Sequence, residues 1–141
     1  MTTPLYTPEI LRLAASIPVP AKLERIDCEA EERSPTCGSR VRVELQLDEE
    51  RRILSISQEV HACAFGQASA ALLAAGAPGK TYEAITSALV DLSAWLAGGR
   101  EDPGEWPGFA VLEPARPKRA RHAAILLPFR AVASALERRS A

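Results

Sequence analysis

The sequence predicts an α+β fold: a small antiparallel sheet of about three strands, with helices packed on one face. Three observations carry that expectation. Val41, Val43, Leu45 and Leu47 alternate with Arg42, Glu44 and Gln46, the period-two pattern of a strand with one buried face. A reverse turn at Asp48-Glu49-Glu50-Arg51 then leads into a second apolar-rich run, Ile53 to Val60, as in a hairpin. From Gly66 onward the apolar period is helical.

Taken in order, Thr7-Pro8-Glu9 is a helix start, with a hydroxyl at the cap, proline at the first helical position and an acid in the first turn. Ile10, Leu11, Leu13, Ala14 and Ile17 supply its apolar face, and Pro18 and Pro20 stop it. Lys22 to Arg33 reads as a first strand with a polar outer face, Ile26 and Cys28 falling on one side and Cys28 in the core. Ala68, Ala70, Ala71, Leu72, Leu73 and Ala75 predict a small-residue helix ending near Gly76-Ala77-Pro78-Gly79. Thr81 caps a longer helix with Ile85, Leu89, Leu92 and Leu96 at helical spacing, ending at Gly98-Gly99. Residues 100–118 form a proline-rich connection, and a last helix runs from Arg119 to Arg138. Pro128 in it must sit near the first turn or kink the helix. Trp95 and Phe129 are core residues; Trp106, in a proline-glycine loop, fits either a core seal or an interaction surface.

The 141 residues are expected to form one domain, 1–141, long enough to bury a core without staples. With 17 basic and 18 acidic residues, nothing marks a general polyanion binder, so no nucleic-acid partner is expected. The start has neither a basic n-region nor an apolar h-region, and no apolar run approaches the about 18 residues of a spanning helix. The expectation is a cytoplasmic protein off the membrane, a monomer or weak homodimer, with its three cysteines kept reduced for metal or sulfur chemistry.

Two of those cysteines fall at the ends of the hairpin. Cys37 precedes the first run in Ser34-Pro35-Thr36-Cys37-Gly38-Ser39; Cys63 follows the second in His61-Ala62-Cys63-Ala64-Phe65-Gly66-Gln67-Ala68-Ser69. Pairing two strands of about seven residues through a short turn brings their outer ends together, and the thiols with them. A Pro-Thr-Cys-Gly turn lifts its side chain off the sheet, and Cys63 stands just before a helix start, whose N–H groups favour anions. His61 is expected at the surface; Gln67 and Ser69 read as hydrogen-bonding residues of the helix start. The basic run Arg116, Lys118, Arg119 and Arg121 is either a solvated face or a docking patch for an acidic partner. No Ser-His-Asp set, phosphate-cradling glycine loop or paired-carboxylate motif is present.

Together these segments resemble the NifU/IscU-type iron–sulfur cluster assembly scaffold, including its SufU-like branch, from about Leu5 to Leu136. Family members carry N-P-x-C-G-D, a strand hairpin, then G-x-x-C-A-x-x-x-A-S opening a helix, and a third cysteine in a setting like R-x-x-C-x-L-L-P-W. Here Ser34 to Ser39 matches the first with serine for the aspartate, Cys63 to Ser69 the second, and Arg121 to Phe129 the third without its cysteine. Aligning on Leu126-Leu127-Pro128 places Ala124 at the lost thiol; aligning on the preceding histidine places Ala123.

The resemblance implies a protein that catalyses no ordinary turnover. It would receive iron and sulfur from a cysteine desulfurase and donors, hold a transient iron–sulfur cluster or a single Zn or Fe ion, and pass it to acceptor proteins. The implied ligands are Cys37, Cys63 and, as substitute for the lost thiolate, His122, which reads equally as a helix-start surface residue. Cys37 is the candidate persulfide acceptor. The alternative is a degenerate paralogue acting as a desulfurase-binding or regulatory partner, or a persulfide acceptor through Cys37, in either case without binding a cluster.

Overall fold

A computed structural model describes residues 6–35 and 38–140; Cys37 lies outside the described residues. The fold is α+β, as the alternation predicts. The elements run α1 (Pro8–Ala14), β1 (Cys28–Arg33), β2 (Arg40–Leu47), β3 (Ile53–His61), α2 (Ala64–Gly76), α3 (Tyr82–Leu96), a 3-10 helix (Phe109–Ala115) and α4 (Arg119–Ser140). The strands pair antiparallel in the order β1-β2-β3. Val41, Val43, Leu45 and Leu47 are all buried under α4, and the intervening polar residues cover the other face. No helix among the described residues is long and apolar enough to cross a membrane.

The strands differ from the sequence reading at their ends. β1 begins at Cys28, six residues later than predicted. Asp27 and Arg25 explain the delay: the Asp27 carboxylate accepts from Leu47 N–H at 2.7 Å and the Arg25 guanidinium donates to the Leu47 carbonyl at 2.8 Å. Side chains thereby satisfy the end of β2 where a longer β1 would have supplied backbone. Cys28 and Ala30 face the core as expected, whereas Ile26 is half-exposed. The second run is less regular because a bulge interrupts the ladder: Gln46 pairs with Ser55 but Leu47 with Ile53, leaving Leu54 unpaired and outward. At the turn, the Asp48 carboxylate accepts from Glu50 and Arg52 N–H, and Arg51 adopts a left-handed φ of 65°.

The helices follow their caps. Thr7 Oγ1 accepts from Ile10 N–H and Thr81 Oγ1 from Ala84 N–H, as predicted. α1 ends at Ala14 rather than at the prolines, because both the N–H and Oγ of Ser16 turn back to the Leu13 carbonyl. α2 starts at Ala64, two residues before the predicted change of period, and is buried along most of its length. The proline-rich connection holds the 3-10 helix, which periodicity did not foreshadow.

Trp106 seals the core. Its ring packs edge-on against Phe129 at 5.1 Å, its Nε1–H donates to the Leu72 carbonyl at 2.9 Å, and a methyl on Gly76 would sit 2.7 Å from it. Pro128 is the tenth residue of α4, not in its first turn, and the helix runs on through it to Ser140. Having no N–H, it leaves the Ala124 carbonyl without the usual i+4 donor. That carbonyl faces α2: a methyl on Gly66 would lie 3.1 Å from it, 2.7 Å from Ala62 Cβ and 3.4 Å from Ala124 Cβ. One turn on, Ser69 Oγ donates to the Ile125 carbonyl at 2.6 Å, so Ser69 joins two helices rather than capping its own. Gln67 keeps the local role, donating to the Ala62 carbonyl at 3.0 Å.

Two substitutions test this packing by urea unfolding. Trp106→Ala should lower stability by about 3–5 kcal/mol through the cavity it leaves. Gly66→Ala, although it raises helix propensity, should destabilise by about 1–3 kcal/mol because Ala62 and the Ala124 carbonyl block the added methyl.

Candidate functional site

Strand register brings the two cysteine segments to one end of the sheet. Arg33 pairs with Arg40 and Arg40 with His61. The loop between β1 and β2, closed by Ser34 N–H on the Ser39 carbonyl at 2.9 Å, therefore lies beside the β3–α2 junction. Ser34 and Ser39 are buried, and Gly38 takes a left-handed φ of 72°, a conformation that suits glycine in this turn. Cys37 belongs to this loop by sequence. Cys63, two residues past His61, is the N-cap residue of α2.

Cys63 is half-buried and carries a free thiol that makes no capping bond. Its backbone is extended (φ −66°, ψ 172°), and its carbonyl accepts from Gln67 N–H at 2.9 Å. The Gln67 side chain holds the Ala62 carbonyl as well, so the residue before the thiol is tied to the helix that follows it.

Of the two alanines that the sequence left open, Ala124 is the one against the first turn of α2; it is buried beside Gly66, while Ala123 is half-buried. His122 lies elsewhere on α4. Residues two apart are about 200° apart around a helix, so His122 projects away from the face that Ala124 presents. Its Nε2 lies 2.9 Å from the Ala115 carbonyl and 3.0 Å from that of Arg116. Both neighbours only accept, so Nε2 carries the proton, and Nδ1 holds the lone pair that a metal would use. The aspartate position of the first motif is Ser39, a weaker donor for a cation than a carboxylate.

The remaining candidates sort readily. His61 is exposed on the outer face, and Cys28 is buried in the core. Arg116 leaves the basic run: it stacks over Trp95 at 5.0 Å, and donates to the Trp95 and Arg100 carbonyls at 2.9 and 3.2 Å. It thus caps the end of α3. Lys118 and Arg119 are exposed and Arg121 half-buried. Among the described residues, no three His, Cys, Asp or Glu side chains gather as a metal group. Arg40 was missed by sequence reasoning, although Arg33 and Arg40 flank the Ser34–Ser39 segment symmetrically, as the two sides of a hairpin do.

No protein-family model matches this chain, and no curated protein matches it. Solved structures do. The N-terminal part of a nitrogen-fixing NifU-like protein from Brucella abortus superposes with a TM-score of 0.82 at 32% identity, over 96% of this chain and 94% of that one. A protein assigned as an iron–sulfur cluster assembly scaffold of the SUF system, from Fervidobacterium islandicum AW-1, gives a TM-score of 0.76 at 22% identity, over 94% and 96% of the two chains. A hypothetical protein gives 0.74 at 20% identity, over 92% and 97%. The second and third share the fold. The first adds sequence kinship along nearly the whole length, and on that basis this chain belongs to the NifU/IscU-type scaffold family.

Proposed function

We propose that this chain is an iron–sulfur cluster assembly scaffold-like protein that receives sulfur and iron at Cys37 and Cys63, holds them briefly, and passes them to acceptor proteins. It forms one domain over its 141 residues and turns over no substrate of its own. The observation that supports this most is the register Arg40 with His61, which sets the two cysteine-bearing segments side by side at one sheet end, beside the start of α2.

Sulfur arrives from a cysteine desulfurase as a persulfide. The Cys37 thiolate attacks its terminal sulfur; a new S–S bond forms, the donor's S–S bond breaks, and the donor cysteine leaves as thiolate, with no net redox change. The thiolates of Cys37 and Cys63 would hold iron, or zinc in its place, and His122, engaged through Nε2 by two carbonyls on the far side of α4 from Ala124, would add Nδ1 as a third ligand only by leaving them. A neutral imidazole holds iron less firmly than a thiolate, so the loaded state is labile and ready to transfer.

A second reading, sulfur acceptance or desulfurase binding without a cluster, draws on two observations. Ala124 offers a methyl where the resemblance expects the third thiolate, and His122 Nε2 is already engaged by two carbonyls.

Anaerobic reconstitution with iron and sulfide separates the readings. The wild type should gain visible absorbance and bound iron, Cys63→Ser and Cys37→Ser should lose both, and His122→Ala should retain less metal than the wild type. A wild type that binds neither iron nor zinc, yet gains one sulfur in mass after incubation with a desulfurase, replaces the scaffold with the relay. A wild type that binds no metal, gains no sulfur and does not bind a desulfurase overturns both.

A further inference from the structure

The last rung of the sheet carries two arginines and a histidine, and among the described residues one of the arginines, Arg40, has no ion pair. Arg33, Arg40 and His61 are consecutive register partners across β1, β2 and β3, so their side chains share one face. It is the outer face, since Val41, the neighbour of Arg40, is buried in the core. At ordinary strand spacing the row is about 10 Å long.

Like charges directly opposite each other weaken a sheet, yet Arg33 and Arg40 are paired. Arg33 has a partner in Glu31, its Nε at 3.1 Å from the carboxylate. Among the described residues Arg40 has no ion pair or side-chain hydrogen bond, and His61 is exposed. The rungs further in behave differently. Arg42 sits between Glu44 at 3.1 Å and Glu29 at 3.5 Å, and Glu31 and Glu59 are its register partners. The Glu44 hydrogen bond first, and then the charge of Glu29, hold the Arg42 guanidinium more firmly protonated. The outer face is thus self-neutralised except at the end next to the cysteine segments. At the opposite end of the hairpin the acids are partnered too: Arg52 pairs with Glu50 at 2.9 Å and Arg25 with Asp27 at 2.7 Å.

We propose that the Arg33–Arg40–His61 rung is a docking surface for an acidic segment of the protein that delivers sulfur to this end of the sheet, an inference that rests on the function proposed above. Charge complementarity identifies the occupant. The row's length suits two or three carboxylates on one face of a helix or strand. A nucleic acid would need cations continuing along its phosphates, and the next rung inward carries Glu31 and Glu59 instead. A positive rung at the sheet end where the two cysteine-bearing segments meet orients an acidic partner and accelerates its encounter, an effect that salt screens.

The test measures the rate at which radiolabelled sulfur passes from a persulfide-loaded cysteine desulfurase to this chain, at low and at high salt. Arg40→Glu should slow transfer by about tenfold at low salt and by much less at high salt. Arg33→Glu should act in the same direction. Arg130→Glu, the same charge change at an exposed site in the middle of α4, should stay within about twofold of the wild type. Thermal unfolding of each variant confirms that it folds. Equal transfer by Arg40→Glu, Arg33→Glu and Arg130→Glu overturns the docking surface and leaves the sulfur-accepting function standing. A wild type that accepts no sulfur overturns both.

Discussion

The pairing of β2 with its two neighbours is the constraint on which the rest of this structure depends. β2 is buried on every second residue, so a slip of one position would drive Val41, Val43, Leu45 and Leu47 into water and draw Arg40, Arg42 and Glu44 into the core. That penalty locks the register. Once locked, it places the β1–β2 loop and the β3–α2 junction at the same end, and it decides which charges stand opposite one another. The site follows from a requirement for burial made along the middle of the strand.

The second determinant is the close passage of α2 and α4. Gly66 lets the helices approach, Ser69 bonds across to the Ile125 carbonyl, and Pro128 withholds a donor from the carbonyl that faces Gly66. These details put Ala124 beside the first turn of α2 and send His122 toward the end of the 3-10 helix, where two carbonyls hold its proton. A histidine that sits near a lost cysteine in sequence is not near it around a helix. Sequence distance therefore overstates how many soft donors α4 brings to this end of the sheet.

Much of this was legible beforehand. The alternation of β2, the Asp48 turn, the Thr7 and Thr81 caps and the core placement of Cys28, Trp95 and Phe129 are local signals, each read from a few neighbouring residues. The signals that failed were those that depended on distant partners. β1 lost its first six predicted residues to the contacts of Arg25 and Asp27 with Leu47, and Arg116 turned from a surface cation into a cap for α3. Trp106 could be resolved between core and surface only once Leu72, Gly76 and Phe129 were known to surround it.

By itself the sequence determined the fold class, the hairpin that gathers the cysteine segments, and the resemblance carried by its motifs, because periodicity, capping and turn chemistry act over a few residues. Only the tertiary structure decided which alanine meets α2, which carbonyls His122 bonds to, and which arginine of the outer face has no ion pair among the described residues. Those outcomes depend on helix crossing and strand register, where the distances between residues far apart in the chain are set by packing.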